Sequence, residues 1–456
     1  MPTALIHCIL VTVDSADRII RDGTIVFEKG VIAAVGPTDS IQLPPDTHCI
    51  DGQGKWAVLP GLVDAHSHSS LLKGYSENLN LMQWLPVYQR EHQVLTEEDA
   101  YWAAMISYLE ALKGGTTTVL DMYRFMHRCA EAAKNLGIRA HIAPYVADSD
   151  DKTFFESLDS NEAFIQSHHE SDEGRLKALV GLEHLFYCSP EAYRRARHMA
   201  EHYDVQIHTH TSELQSEVQA VEQHFGKRPI HLLHDYGILT PRTHLAHCVW
   251  LDDSETQRLV DCGLAGLSLC PTSNAKLAGG VPPYTRYKER GLTMGLGTDG
   301  AISNNSLSMW ELMKTASLQQ KNLLFDAAAL PAPEVLRLAT MGGAKLLGQD
   351  KLIGSLEPGK RADLITVNLW QPHLMPIADD GEHDPVIWNL VYAARASDVQ
   401  HVWVDGRQVL KDGRSTRIDE DEVLLHVHRQ TQELLQRRKA TQTIQMNGKG
   451  TAADAT

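Results

Sequence analysis

Apolar and polar positions fall into two textures along the chain. Near the N-terminus, residues 4–13, 24–28 and 31–35 are β-rich, and Asp22-Gly23 and Lys29-Gly30 mark turns between them. The same texture returns over 361–411, in Ala362-Asp-Leu-Ile-Thr-Val367, His401-Val-Trp-Val-Asp-Gly406 and Gln408-Val-Leu410. Two β-rich ends around a long middle predict a small β-sandwich assembled from both ends of the chain. The middle alternates instead. Strand-like apolar runs at 56–65, 116–122, 139–146, 176–185, 204–211, 243–249, 264–271 and 292–298 are separated by helix-like stretches such as 97–113, 129–136, 191–202 and 253–261. Eight βα units in roughly 290 residues predict an α/β protein with a parallel (β/α)8 TIM-like barrel, a doubly wound open sheet being the alternative. Residues 420–439 carry a polar helical pattern, and 440–456 are small and polar and read as a flexible tail. The expected division is 1–58 and 356–419 for the two parts of the β-domain, 59–355 for the barrel, and 420–456 for a terminal helix and tail.

Composition narrows the function classes. Hydrophobic residues make up 43% and charged residues 22%, which excludes a disordered chain. The formal net charge of −16 repels phosphate backbones and anionic lipid, so nucleic acid and membrane are poor partners. No apolar run reaches the ~18 residues of a membrane span. Met1-Pro-Thr-Ala-Leu-Ile-His7 lacks a basic start and a small-residue cleavage site, so no signal peptide is expected. The seven cysteines form no C-x-x-C pair, and their odd number argues for reduced thiols in a cytoplasmic protein. The unusual count is 24 histidines. His168, His169, His198, His202 and His426 lie among charged residues and read as solvated.

Other histidines sit at the ends of the predicted strands. Run one ends in Asp64-Ala-His66-Ser-His68, run five in His208-Thr-His210-Thr-Ser-Glu213, run six contains His244 and His247, and run eight ends in Thr298-Asp299-Gly300. In a strand, residues i and i+2 point the same way, so His66 and His68 can share one face. In a barrel the C-terminal strand ends converge on one mouth. His66, His68, one histidine of run five and Asp299 can therefore meet there, and three imidazoles with a carboxylate suit Zn²⁺, with iron also fitting. Gly295-Leu-Gly297-Thr-Asp-Gly300 matches G-x-G-x-x-G, but it closes the last unit rather than opening the first, and it lacks the acidic residue about 20 positions on.

These motifs resemble the amidohydrolase superfamily, and within it the 5-methylthioadenosine/S-adenosylhomocysteine deaminase branch, with guanine deaminases and triazine hydrolases as relatives. The resemblance rests on Leu59-Pro-Gly-Leu-Val-Asp-Ala-His-Ser-His68, His208-Thr-His-Thr-Ser-Glu213, Leu245-Ala-His-Cys248, Ser273-Asn-Ala-Lys-Leu277, Gly297-Thr-Asp-Gly-Ala-Ile-Ser-Asn-Asn305 and Leu356-Glu-Pro-Gly-Lys-Arg-Ala-Asp-Leu364. It implies one divalent metal per chain, zinc or iron, held by His66, His68, His210 and Asp299. It implies Glu213 as proton carrier, His247 beside the hydrolytic water, and Asp299 as base as well as ligand. His208 becomes a strand neighbour. At run four, Gly181-Leu-Glu-His-Leu-Phe-Tyr-Cys-Ser-Pro190 departs from the family's Gly-Pro-His-x-Pro-Tyr. His184 is the natural match for a substrate contact, whereas an ungapped alignment puts Glu183 there. Glu91, next to His92, is the nearest candidate for holding ribose hydroxyls, and Trp84 is a candidate wall for a flat ring or a loop anchor. The implied reaction is hydrolytic deamination of an amino-substituted nitrogen heterocycle, with triazine or guanine-type aminohydrolysis or chlorohydrolysis as the alternative. The implied assembly is a homodimer or homotetramer.

Overall fold

The computed structural model describes residues 1–149, 152 and 154–450. The N-terminal segment forms β1 (Thr3–Val11), β2 (Ile19–Glu28), β3 (Val31–Pro37), β4 (His48–Asp51) and β5 (Trp56–Pro60). The middle contributes β6 (Leu62–His68), β7 (Thr116–Tyr123), β8 (Arg139–Pro144), β9 (Leu176–Ala178), β10 (Val180–Leu182), β11 (Ile207–Thr211), β12 (Thr243–His247), β13 (Gly266–Leu269), β14 (Met294–Leu296) and β15 (Asp299–Gly300). The C-terminal part adds β16 (Leu364–Asn368), β17 (Val399–Val404), β18 (Arg407–Lys411) and β19 (Arg414–Ser415).

Both chain ends join one nine-stranded sheet, ordered β19-β18-β17-β16-β5-β1-β2-β3 with β4 beside β1. The seam between the ends is the antiparallel pair β5–β16, which sets Leu59 opposite Ile365 and Ala57 opposite Val367. The run expected at 56–65 therefore divides at Gly61. Trp56–Pro60 pairs with β16, and only Leu62–His68 enters the middle. A β-carbon at Gly61 would collide with the Thr117 side chain, so the chain turns where it is thinnest.

The middle strands make two five-stranded parallel sheets, β15-β6-β7-β8-β9 and β10-β11-β12-β13-β14. Two of the predicted runs are shared between them. In the fourth run, Leu179 donates its N–H to Ile142 of β8 and Val180 donates to Gln206 just before β11. In the eighth run, Gly297 donates to Leu269 of β13, whereas Asp299 and Gly300 pair with Ser67 and His68 of β6. A side chain at Gly297 would lie 2.7 Å from the His66 β-carbon, so glycine there permits the close approach of β6. Backbone packing accounts for the G-x-G pattern without a dinucleotide.

Helices connect the strands and cover them. Glu97–Lys113 starts at a Thr96/Asp99 capping box and carries three acids in its first turn, a favourable pairing of charge with the helix dipole. The C-terminal helix runs from Glu420 to Gly450. Its docking is specific: Leu434 is buried, and Arg437 and Gln430 both donate to the buried Asp99 carboxylate. The tail expected from 440 is thus helical to Gly450, and 451–456 lie outside the described residues. Among the described residues, no helix is long and apolar enough to cross a membrane.

A buried polar joint ties the end-built sheet to the parallel strands. Arg139, at the start of β8, donates to Asp363 at 3.0 Å and to Asp405 at 2.8 Å, and Arg175 reaches Asp405 at 3.3 Å. Asp405 sits in the two-residue turn Asp405-Gly406, both with positive φ, the geometry a tight hairpin demands. Removing one partner from such a buried network leaves uncompensated charge. Arg139→Ala should therefore cost about 3–5 kcal/mol in denaturant unfolding. A loss of a few tenths of that would show that the joint adds nothing.

Candidate active site

The carboxyl ends of β6, β11, β12 and β15 bring their polar side chains to one place. Alternation in β6 puts His66 and His68 on the same side, and both are buried. Their ring centroids are 4.5 Å apart, and His210 lies 5.0 Å from His66 and 5.2 Å from His68. Asp299 Oδ1 stands 3.2 Å from His68 Nε2 and 3.5 Å from His66 Nε2. The ligand atoms of His66, His68 and His210 all lie within 4.8 Å of one another, as do those of Glu213, His247 and Asp299.

Hydrogen bonds on the far side of each ring decide what these atoms offer. His68 Nδ1 donates to the Met122 carbonyl at 2.8 Å, and His210 Nδ1 donates to the Glu183 carbonyl at 2.7 Å. A neutral imidazole has one N–H, so both Nε2 atoms present lone pairs, and they face each other at 3.2 Å. His66 Nδ1 is engaged by His208 at 2.8 Å, and its Nε2 is buried without a hydrogen-bond partner. Burial pushes His66 down to about 3 and holds His210 well below the usual imidazole range, so neither carries a proton to relieve the crowding. Burial pushes Asp299 up, but the neighbouring imidazoles of His66, His68 and His247 outweigh it and hold the carboxyl well below its usual range. The neutral rings of His68 and His210, with outer nitrogens fixed by backbone carbonyls, turn lone pairs inward; with the unpartnered His66 Nε2 and the Asp299 carboxylate, which raises His68 against its burial, they fit a divalent cation. His66, His247 and Cys270 form another close group that shares His66 with the first.

Backbone strain collects at the same strand ends. Ser212, His247, Cys248 and Asp299 all have φ between 49° and 69°, in the left-handed region that costs non-glycine residues about 1–3 kcal/mol each. Under the cluster lies a second layer. The His208 and His244 rings are 4.4 Å apart, His244 Nε2 contacts Ser268 Oγ at 2.6 Å, and Ser268 donates to the carbonyl of Ala65, the residue before His66. His208 is therefore a support for His66, as the resemblance implies, and His244 supports the layer in turn.

Beside the cluster, Glu213 and His247 approach at 3.6 Å. Burial, and then the charge of Asp299, push the Glu213 carboxyl well above its usual range, which keeps a proton on it. His247 Nδ1 is fixed by Asn274 at 3.0 Å. Glu217, one helical turn after Glu213, accepts the backbone N–H groups of Ser212, Glu213 and Leu214 and also contacts His184 Nε2 at 2.9 Å. Asp64 accepts the Thr298 N–H at 2.9 Å, tying β6 to the loop that carries Asp299, and Ser303 donates to Asp299 at 2.8 Å. Sequence reasoning assigned no role to Glu217, Asp64, Asn274 or Ser303. The visible signals were an acid four after Glu213, an acid two before His66, and the two polar motifs that contain Asn274 and Ser303.

A narrow cavity opens onto the cluster, and Trp84, Glu183 and His184 all line it. Trp84 lines the cavity, where it stacks on Tyr88 with centroids 4.7 Å apart, and its Nε1 donates to Ser76 at 2.9 Å. Burial pushes Glu183 up to about 7. Glu91 does not line the cavity. It lies on the same helix, Leu81–His92, but seven residues beyond Trp84, ~10 Å of helical rise. It is buried outside the cavity, where Arg438 of the C-terminal helix and Asp99 are its charged neighbours, and burial pushes it up to about 8. Its neighbour His92 packs among Tyr88, Tyr123, Tyr145 and Phe155 and does not line the cavity either.

The Glu217 carboxylate accepts from the Glu213 loop and contacts His184, and so joins the two. Glu217→Ala leaves several buried donors unpaired and should cost on the order of 3 kcal/mol in unfolding free energy. A thermal or denaturant midpoint equal to that of the parent protein would refute this role.

The chain matches the family model described as "Amidohydrolase family" over residues 57–409. It is 37% identical to 5-methylthioadenosine/S-adenosylhomocysteine deaminase of Desulforudis audaxviator over 91% of this chain and 95% of that one. It is 38% identical to 5'-deoxyadenosine deaminase of Methanothermobacter thermautotrophicus over 89% and 93% of the two chains. Among solved structures, an adenosine deaminase from Xanthomonas campestris with bound zinc superposes with a TM-score of 0.89, at 28% identity, over 95% of this chain and 98% of that one. With more than three-quarters of its length inside the family match and the strand-end motifs in place, this chain belongs to the amidohydrolase family.

Proposed function

We propose that this protein is a metal-dependent hydrolytic deaminase of an amino-substituted purine of the 5-methylthioadenosine, S-adenosylhomocysteine or adenosine type, releasing ammonia. The observation that carries the reading is the meeting of the His66, His68 and His210 imidazoles, the Asp299 carboxylate and the buried Glu213 carboxyl at one cavity. The named relatives act on this substrate class, and the zinc-bound adenosine deaminase has the same architecture. On this reading the two parallel sheets are halves of one (β/α)8 barrel with the site at its C-terminal mouth. The nine-stranded sheet is the core of the end-built β-domain, with the domain limits expected from the sequence moved only at Gly61. Zinc is the favoured ion, the cytoplasm the expected compartment, and a homodimer or homotetramer the expected assembly.

His66, His68, His210 and Asp299 would hold the ion. When bound, a divalent ion of this kind supplies a Lewis acid that brings the deprotonation of water to near pH ~7. Asp299, already ionised, takes the proton of the attacking water, and His247, steadied by Asn274, orients that water. Attack falls on the ring carbon that bears the exocyclic amine. Glu213 gives its proton to the neighbouring ring nitrogen as charge builds there. The carbon–nitrogen bond then breaks, a proton passes to the departing amine, and ammonia and the oxo-substituted ring are the products. An amine is a poor leaving group, so the presence of a proton carrier favours deamination over loss of chloride. Trp84 and Tyr88 offer a flat apolar wall. The enclosed space is about 40 Å³, room for water but not for a fused ring, so the cavity must widen for substrate to enter.

Metal analysis combined with ammonia release from adenosine-type, guanine-type and aminotriazine substrates tests the reading. Adenosine-type compounds should be fastest, and ammonia from none of them sinks it. Glu213→Gln should keep its metal and its substrate affinity while kcat falls ~10²–10⁴-fold. Near-normal turnover would remove Glu213 from the mechanism. His66→Ala should lose metal and activity together, and an active, metal-replete variant would overturn the ligand set.

A further inference from the structure

The cavity wall contains a carboxyl group that the mechanism does not use. Three acids line the cavity: Asp299 and Glu213, both with roles above, and Glu183. Glu183 follows β10, and its backbone is held on both sides. Its N–H donates to the Val146 carbonyl at 2.9 Å, and its own carbonyl receives the His210 Nδ1 proton at 2.7 Å. The side chain has no such support. Its Oε2 is buried without a hydrogen-bond partner, and the positive charges that act on the carboxyl are those of His184, His68 and Lys152. The neighbouring His184, expected to touch substrate, is committed elsewhere. Its Nε2 is 2.9 Å from the Glu217 carboxylate, and its Nδ1 receives the Phe186 N–H at 3.3 Å. Neither nitrogen is left for a ligand. A buried acceptor without a donor is costly, and this one belongs to a residue that lines the cavity.

We infer that Glu183, rather than His184, reads the substrate, by accepting a hydrogen bond from an O–H or N–H group of the bound compound. The inference rests on the deaminase reading and adds the substrate chemistry that this site selects. Ionised, or protonated on its twin, the carboxyl offers Oε2 as an acceptor, and a donor from the substrate satisfies it. A bare ring nitrogen placed there sets lone pair against lone pair. Glu183 is therefore a specificity residue: it rejects analogues that lack one donor, because the acceptor is then buried unpaired. His184 is a positioning residue, bound to Glu217 and through it to the Glu213 loop.

The experiment compares kcat/KM of the zinc-loaded wild type, Glu183→Ala and Glu183→Gln on probes that differ by one donor. Adenosine against its 2′-, 3′- and 5′-deoxy analogues tests hydroxyl donors, and adenine against 9-methyladenine tests a ring N–H. In the wild type, one of these deletions should cost about tenfold or more. Glu183→Ala should treat that analogue and its parent alike, and Glu183→Gln, which keeps an acceptor oxygen, should retain part of the discrimination. Zinc content and thermal midpoint identify a variant that has merely misfolded, and the glutamine substitution is the isosteric second arm. If both variants change kcat/KM by one common factor across all probes, or keep the wild-type discrimination, the inference is wrong while the deaminase reading stands. A wild type inert on every probe overturns the deaminase reading and this inference with it.

Discussion

Acceptor atoms with nothing to accept are packed at the centre of this molecule. Two imidazole nitrogens with lone pairs inward stand 3.2 Å apart, a third is buried unpaired, and an ionised carboxylate oxygen closes the group. In water each would be hydrated, whereas here they are dry and mutually repulsive. A cation turns every one of these contacts from a cost into an attraction. The backbone carbonyls of Met122 and Glu183 enforce the arrangement by claiming the outer nitrogens of His68 and His210. They make the polarity of the site a property of the fold rather than of side-chain choice. Metal binding and folding are then coupled, since the ion offsets strain and desolvation that the apoprotein must carry alone.

The surrounding structure resists relaxation of that centre. Asp64 holds β6 against the Asp299 loop, Gly297 lets the last strand run lie against His66, and the His208–His244 layer fills the space beneath. Glu217 joins the ends of β10 and β11 through His184 and the Glu213 loop, so the proton carrier and the cavity wall share one anchor. Farther out, Arg139 and Arg175 fasten the end-built sheet to β8 and β9 through Asp405. Each attachment is a short buried polar bond, which fixes position more sharply than apolar packing does.

Much of this was legible in the residues. The period of two in His66-Ser-His68 survives any detail of topology, and the order of histidines and Asp299 along eight apolar runs is enough to bring them to one rim. What could not be read depends on contacts distant in the chain. Whether Leu176–Leu182 is one strand or two is decided by hydrogen bonds to Ile142 and Gln206, not by its own pattern. Glu91 shares a helical face with Trp84, but the spacing does not say where along the axis the cavity ends. The orientation of His184 is set by Glu217, thirty-three residues away. The terminal helix is polar throughout, and its docking depends on the buried Asp99 that waits for Arg437.

The account turns on which atoms surround the ion. X-ray absorption at the zinc edge of the metal-loaded protein measures this directly. Three imidazole nitrogens and carboxylate oxygen at about 2.0–2.2 Å, with no sulfur, are expected from His66, His68, His210 and Asp299. A sulfur scatterer near ~2.3 Å would move the ion to the group of His66, His247 and Cys270 and contradict the central claim.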